Sequence, residues 1–266
     1  MNDTEQAPNR ARSHLPRRTC WALAAAAAYL CLPSSALAQT EGEYLYNVTT
    51  LRAAPGQFSE LISTLEESIT IHVEAGDRAP FWIRHSQGDQ WDFMLIYPIG
   101  DFSSYYAADR IEQRASAWDT PRGLATSERL SAFTAHREEW FARSVEVDVL
   151  AARFDGMGLF HVEMFAGLPG KRPELLEQRR MENRYYEHLG RPQNILFVRE
   201  AGSNWDAMTI GFHESLQAFA AGGTLHPEAD QDEAARVAGF GGVDLIGPYL
   251  RSLLDYHHDT LAVPVR

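Results

Sequence analysis

The chain has 266 residues, of which 45% are hydrophobic, so it is long enough to bury a sizeable core. Its formal net charge is −12 and it has no basic run, which argues against binding to nucleic-acid phosphates or to an anionic membrane surface. Both cysteines, Cys20 and Cys31, lie near the start, so the remainder has no disulfide, no thiolate nucleophile and no cysteine-ligated metal.

The first 38 residues have the pattern of a secretory signal peptide. A start with four arginines precedes an apolar run over residues 21–32, and Ala36-Leu37-Ala38 provides a cleavage site. The apolar run is too short to span a membrane well. We therefore expect an exported protein, periplasmic or secreted, with no membrane span in the mature chain. The general and the twin-arginine export routes both stay open.

The rest of the chain contains an internal repeat with an offset of 114 residues. Its clearest part is a Trp-Asp stretch, in which Trp91, Asp92, Met94 and Ile96 match Trp205, Asp206, Met208 and Ile210. Paired glycines and prolines recur at the same offset, namely Pro55-Gly56 with Pro169-Gly170, Gly76 with Gly190, and Gly88 with Gly202. These residue types are tied to backbone conformation, so their shared spacing indicates a duplication. We predict two copies of one unit, residues 39–155 and 156–266.

Both copies predict the same order of elements. An alternating strand leads through Pro-Gly into a helix that ends at Gly76 or Gly190, and a second strand turns at Gly88 or Gly202 into the Trp-Asp strand. Further helices are predicted around 102–116, 124–143, 215–222 and 243–256, β-rich tails at 144–151 and 260–265, and loops at 117–123 and 222–235. This β-α-β-β-α-β order is the ferredoxin-like split unit, so the predicted fold class is α+β.

A β-α-β-β-α-β unit with an early Pro-Gly helix start resembles the dimeric α/β-barrel superfamily, which includes antibiotic-biosynthesis-monooxygenase-like and NIPSNAP-like domains. The resemblance covers residues 44–265. It implies two paired sheets that enclose a small barrel with helices outside, and a tandem chain would build that barrel within one polypeptide. A homodimer of the whole chain is compatible with it. The superfamily hosts many functions, so the fold does not fix the activity.

Side chains alternate along a strand, and this parity predicts which residues line the barrel. We place the recurring Met and Ile beneath the helices, so the opposite parity faces an interior that is mostly apolar with a few polar groups, as small-molecule sites are. The interior residues predicted to bind a ligand are Asn47, Trp91, Phe93, Tyr97, Trp205 and Thr209. The predicted catalytic residues are His161, Glu163 and His213.

His161 and Glu163 share one face of a strand at a spacing of about 7 Å, and three interpretations of them stay open. The imidazole could take a proton from a phenol or an enol, with the carboxylate orienting it. Together with His213 the pair could bind a divalent metal. The three residues could also form a hydrogen-bonded polar patch without a function. The chain has no P-loop, dinucleotide-binding glycine turn, G-x-S-x-G or H-E-x-x-H motif.

The expected ligand is a small apolar or aromatic molecule, and no cofactor is required. The resemblance implies a cofactor-independent monooxygenase or isomerase that acts on a small aromatic or polyketide-like compound. A non-catalytic binding or structural protein is the alternative. Some relatives of this fold bind haem between a strand-one Asn and a helix His, which would be Asn47 and His136 here, although Tyr97 stands where a Trp is expected.

Overall fold

Strands and helices follow the same order in both halves of the chain. The computed structural model describes residues 42–265, so the predicted signal peptide lies outside the described residues. The first half contains β1 (Tyr44–Ala53), α1 (Phe58–Glu74), β2 (Phe81–Gln87), β3 (Phe93–Gly100), α2 (Phe102–Tyr105), α3 (Ala108–Trp118), α4 (Pro121–Phe133), β4 (Thr134–Ser144) and α5 (Val147–Phe154). The second half contains β5 (Leu159–Gly167), α6 (Arg172–His188), β6 (Ile195–Gly202), β7 (Ala207–His213), α7 (Leu216–Ala221), α8 (Glu228–Ala238), a 3₁₀ turn (Val243–Leu245), α9 (Ile246–Arg251) and β8 (Leu254–Pro264).

The offset of 114 residues read from the sequence is also the offset of the structural elements. Helix α6 begins and ends 114 residues after α1, and β6 and β7 begin 114 residues after β2 and β3. The tandem ferredoxin-like repeats are therefore confirmed. We call β1–β4 with their helices the first repeat and β5–β8 with theirs the second repeat.

The Trp-Asp stretch recurs because each aspartate closes the same turn. Asp92 Oδ2 accepts the backbone N–H of Ala53 at 2.7 Å, and Asp206 Oδ2 accepts that of Gly167 at 2.9 Å. The backbone N–H of each aspartate also donates to a carbonyl of the same neighbouring strand, at 2.7 and 2.8 Å. These bonds satisfy backbone groups near the ends of β1 and β5, where the ladder pairing stops.

The eight strands form a closed antiparallel barrel in the order β1-β3-β2-β8-β5-β7-β6-β4. Two seams join the repeats, because β4 of the first repeat pairs with β6 and β8 of the second repeat pairs with β2. Each repeat thus supplies its last strand to the sheet of the other. This is the barrel within one polypeptide that the family resemblance implies, with helices outside.

The barrel interior is a solid apolar core. Buried side chains from all eight strands contact one another in a single hydrophobic cluster, which includes Met94, Trp140, Phe160, Phe197 and Ile210. In a closed ring, side chains from every strand can meet only inside it. Leu150 and Phe154 of α5 pack against this cluster as well, so the helix that joins the repeats contributes to the same core.

The predicted assignment of the two strand faces is therefore wrong for the strand residues. The recurring Met and Ile fill the interior, and the opposite parity faces the helices. The named residues that we placed inside but that lie on the helix-facing side are Asn47, Phe93, Tyr97, His161, Glu163, Thr209 and His213. Trp91 and Trp205 do belong to the interior cluster, because they precede the first residues of β3 and β7 and escape the alternation.

Several predicted elements differ from the structure, including the loop predicted at 117–123, whose last three residues begin α4, and the helix predicted around 243–256, whose last three residues belong to β8. The helix predicted over 124–143 ends at Phe133, and the following residues form β4, since pairing with β1 along ten residues outweighs their helix propensity. The tail at 144–151 is mostly the helix α5, and part of the loop predicted at 222–235 is the helix α8. None of the described helices combines the length and apolar character that crossing a bilayer requires.

Candidate functional site

A cavity of about 870 Å³ lies in the first repeat, between the outer face of the sheet and the helices. Strands β1, β3 and β4 form its floor, and α1, α3 and α4 form its cover. The lining is rich in aromatic rings and also carries charged groups. The residues used below are Asn47, Thr49, Leu65, Ser68, His72, Asp77, Arg78, Tyr97, Tyr105, Trp118, His136, Arg137, Glu139 and Phe141.

His72 and Asp77 form an imidazole–carboxylate pair in this lining. Nδ1 of His72 lies 3.7 Å from Oδ2 of Asp77. The carboxylate is held from the other side by Arg110 at 2.7 Å and Arg114 at 3.3 Å. Asp77 is fixed by these two guanidinium groups, so it can orient the imidazole with Nδ1 towards the carboxylate. Nε2 is then the nitrogen left to accept a proton.

Burial sets the charge of His72. Burial lowers the pKa of His72 below its ordinary value, although the Asp77 carboxylate opposes the shift. The imidazole is therefore neutral at pH 7 and available as a base. Its ring packs 5.2 Å from Tyr97 and 5.5 Å from Trp118, measured between ring centroids.

The sheet side of the cavity carries hydrogen-bonding groups. The Thr49 hydroxyl lies 3.0 Å from Asn47 Oδ1 and 3.3 Å from Glu139 Oε1, and Arg137 pairs with the same carboxylate. Burial raises the pKa of Tyr97, so its phenol stays protonated. Within residues 42–265 this hydroxyl has no hydrogen-bonding partner, which leaves it free to donate to a ligand.

In the second repeat, larger side chains occupy the equivalent positions. At the 114-residue offset, Leu65, Ser68 and His72 of α1 correspond to Arg179, Glu182 and Tyr186 of α6. The three α6 side chains form one network, in which Arg179 pairs with Glu182 and the Tyr186 hydroxyl donates to Glu182 at 2.7 Å. Arg179 also lies 3.5 Å from Glu163 of β5. The two repeats thus share a backbone but differ at these positions, where the second repeat has larger side chains that are bonded to one another.

The structure brings His161, Glu163 and His213 together, on the helix-facing side of the second repeat. His161 Nε2 lies 2.6 Å from Asp259 Oδ1, and the rings of His161 and His213 each lie 5.1 Å from the ring of Phe219 in α7. Burial lowers the pKa of His161, but the hydrogen bond to Asp259 and the charge of Glu163 raise it more, so the pKa ends above its ordinary value. Burial raises the pKa of Glu163.

The predicted ligand-binding residues separate into three groups. Asn47 and Tyr97 line the first-repeat cavity. Thr209 donates a hydrogen bond to Glu163 at 3.0 Å in the second repeat. Phe93 is buried beneath α1 with its ring 4.9 Å from that of Phe58, while Trp91 and Trp205 belong to the interior core, so none of these three is a lining residue of the cavity.

A solved structure shares this architecture. No family model matches the sequence, and no curated protein matches it. An anthrone oxidase-like protein superposes with a TM-score of 0.51 at 13% identity, over 85% of this chain and 93% of its own. The chain has the dimeric α/β-barrel fold. A protein provisionally named a monooxygenase, from Lactobacillus acidophilus, matches over 83% of this chain and 93% of its own at 7% identity, with a TM-score of 0.44. A NIPSNAP domain protein from Burkholderia xenovorans matches 36% of this chain and 90% of its own at 19% identity, with a TM-score of 0.30.

Sequence reasoning missed the central residues of this α/β-barrel's cavity. His72, Asp77 and Trp118 were not predicted, because the helix that carries His72 was interpreted as cover for the sheet, while Asp77 follows that helix and Trp118 falls in the loop predicted at 117–123. A usable signal was present: His72 lies one or two turns from Leu65 and Ser68 on the same helix face, and all three differ in size or charge from their second-repeat counterparts.

Proposed function

We propose that the chain binds a hydroxylated aromatic molecule in the first-repeat cavity, and that His72 removes a proton from it so that the resulting anion reacts with O2. The observation that carries the proposal is a neutral, largely buried imidazole set against a carboxylate in an aromatic-lined cavity of about 870 Å³. A cavity of this size matches the range that small-molecule sites occupy, about 300–1,000 Å³.

The lining supports an aromatic ligand. Tyr97, Tyr105, Trp118 and Phe141 offer ring faces and edges, and aromatic pairs gain about 0.5–1.5 kcal/mol beyond the area that they bury. Arg137 and the free Tyr97 hydroxyl can stabilise an oxyanion on the ligand. A flat molecule with one or more phenolic or enolic oxygens therefore fits the lining better than a purely aliphatic one.

The chemistry needs a base and no bound redox group. A solved structure with the same fold is named anthrone oxidase-like, and an anthrone carries an acidic methylene between two aromatic rings. His72 would take a proton from such a carbon, and the electron-rich anion would transfer electrons to O2. A hydroperoxide forms at that carbon as the proton returns, and loss of water leaves a carbonyl. One CH2 and one O2 are consumed, and one C=O and one H2O are formed.

The test uses anthrone as the probe, with O2 uptake and anthraquinone formation measured against the protein-free rate. His72→Gln should lower the catalysed rate by about 10²–10⁴-fold, the usual contribution of a general base, while anthrone binding persists. His188→Gln, at the exposed end of α6, is the matched control and should keep the wild-type rate. Wild-type protein without catalysed O2 uptake, or an unaffected His72→Gln variant, would contradict the proposal.

Haem binding is the second candidate, because Asn47 and His136 both line this cavity, although His136 lies on β4 and not on a helix as the resemblance implied. His136 or His72 would hold the haem through an imidazole nitrogen, and Arg78 and Arg137 would pair with its carboxylates. Bound haem would supply redox chemistry. Purified protein that develops a Soret band on addition of haem would favour this function. A chain that turns over anthrone and shows no Soret band with haem would favour the base-catalysed one.

Export and self-association complete the proposed function. The leader pattern of residues 1–38 supports export to the periplasm or beyond. Cell fractionation and the mass of the mature chain test it, with cleavage expected before Gln39. A homodimer is the proposed assembly, and analytical ultracentrifugation of the exported chain distinguishes it from a monomer.

A further inference from the structure

A second cluster of ligating side chains lies in the second repeat, away from the first-repeat cavity. His161 and Glu163 project from β5 on its helix-facing side, and Asp259 of β8 stands directly opposite Glu163 across the strand pair. One ligand atom of each side chain lies within 4.8 Å of the others. The sequence pattern grouped His161 and Glu163 with His213, and the structure brings in Asp259 as the third member of this compact set.

The surroundings carry excess negative charge. Besides Glu163 and Asp259, the carboxylate of Glu182 lies close by, and one buried cation, Arg179, faces the group. Arg179 is paired more closely with Glu182 than with Glu163, from which it lies 3.5 Å. Two carboxylates that face each other across a strand pair repel, so the arrangement favours a cation between them.

We propose that His161, Glu163 and Asp259 bind one divalent transition-metal ion of the Mn²⁺, Fe²⁺ or Zn²⁺ class. One imidazole nitrogen with two carboxylate oxygens suits these ions better than Ca²⁺ or Mg²⁺, which take oxygen ligands. Ligand atoms bound at about 2.1 Å stand about 3.4 Å apart in tetrahedral geometry, so the set reaches coordination by small side-chain rotations.

The site would keep positions for further ligands. The Asp259 side chain is 56% exposed and that of His161 is 20% exposed, so solvent reaches the cluster from one side. Glu163, by contrast, is 12% exposed and is fixed by the Thr209 hydroxyl at 3.0 Å. A metal ion held by a rigid, buried carboxylate on one side and reached by solvent on the other can still bind water or a small anion.

The experiment measures metal binding directly and does not depend on turnover in the cavity. The chelator-treated full chain is titrated with MnCl2 by electron paramagnetic resonance and with ZnCl2 by calorimetry. We expect one ion per chain. Asp259→Asn should weaken binding by about tenfold or more, since loss of an outer-shell partner alone typically costs 10–100-fold. Asp255→Asn, the same change at an exposed position of the same strand, should bind as the wild type does.

Glu163→Gln gives the second test, because it removes the buried ligand and keeps the hydrogen-bonding shape. The Glu163→Gln variant should also lose most of its affinity for the metal ion. The proposal would be overturned if neither Mn²⁺ nor Zn²⁺ bound the wild-type chain saturably. It would also be overturned if the Asp259→Asn variant bound the metal with unchanged affinity and stoichiometry. Because Asp259 is more than half exposed, that variant is expected to fold normally.

Discussion

The aspartates of the two Trp-Asp stretches give a matched pair of stability predictions. In Asp92→Ala the backbone N–H of Ala53 loses a charged acceptor at 2.7 Å, while the backbone bonds of residue 92 to its neighbours remain. A hydrogen bond to a charged group contributes about 1.5–3 kcal/mol, so we expect a loss of that size in the free energy of unfolding.

Asp206→Ala should lower the free energy of unfolding by more than Asp92→Ala does. Asp206 makes the equivalent bond to Gly167 at 2.9 Å and also pairs with Arg199 at 2.8 Å and lies 3.7 Å from Arg172. Removing it leaves two partly buried guanidinium groups without their carboxylate, in addition to the lost backbone bond.

The assay is urea unfolding of the full chain at pH 7, followed by circular dichroism, for the wild type and both variants. Asp92→Asn is the control, because its side-chain oxygen can still accept the Ala53 N–H, and it should recover most of the loss. Two results would refute this account of the repeated motif: losses below about 0.5 kcal/mol in both alanine variants, or an Asp92→Ala loss larger than that of Asp206→Ala.

Three further predictions concern single side chains, each measured by urea unfolding. The pKa of His72 is lowered on folding, so its neutral form stabilises the chain above pH 6.5 and this contribution is lost as the pH falls. The difference in free energy of unfolding between the wild type and His72→Gln should therefore be smaller at pH 5 than at pH 7. A difference that does not change with pH would contradict the lowered pKa. Gly88 has φ +114°, and a Cβ at this position would lie 2.1 Å from a backbone oxygen, so Gly88→Ala should lower the free energy of unfolding by at least about 1–3 kcal/mol. Gly223 has open space around it, so Gly223→Ala should change the free energy of unfolding little. Equal losses in the two variants would contradict this prediction. Arg179→Met leaves buried carboxylates unpaired and should lower the free energy of unfolding by about 3–5 kcal/mol at pH 7. The loss should be smaller at pH 5, because burial raises the pKa of Glu163 and favours its neutral form as the pH falls. A variant as stable as the wild type at pH 7 would contradict this prediction.

The sequence predicted the tandem architecture because glycine, proline and tryptophan report on the backbone. Gly88 and Gly202 both have positive φ in the hairpins, as their shared spacing indicates. Such residues are constrained by local geometry, which two copies of a fold share. The start of each main helix and hairpin could therefore be placed without coordinates.

The faces of the strands could not be predicted in the same way. In β3 both Met94 and Leu95 are almost fully buried, one inside the barrel and the other under the helices. When both faces of a sheet are covered, alternation no longer separates apolar from polar positions. The choice between faces then depends on ring closure, which is a property of pairings between distant strands.

Part of each site was visible in the sequence. Asn47 and Tyr97 were identified as ligand-binding candidates and line the cavity, and His161 with Glu163 was identified as a pair. The partners His72, Asp77 and Asp259 come from a helix, the turn after it and the last strand, so only the tertiary fold brings them to these positions.

The central claim is that the first-repeat cavity binds the ligand and that the larger side chains at the corresponding positions of the second repeat prevent binding there. The direct measurement is the stoichiometry of anthrone binding, by native mass spectrometry, for the wild type and for the triple variant Thr49→Glu, Leu65→Arg, Ser68→Glu. That variant places the Glu163–Arg179–Glu182 network at the corresponding positions of the first repeat. We predict one anthrone per wild-type chain and none in a variant that still unfolds cooperatively. A folded triple variant that binds one anthrone as the wild type does would contradict the claim.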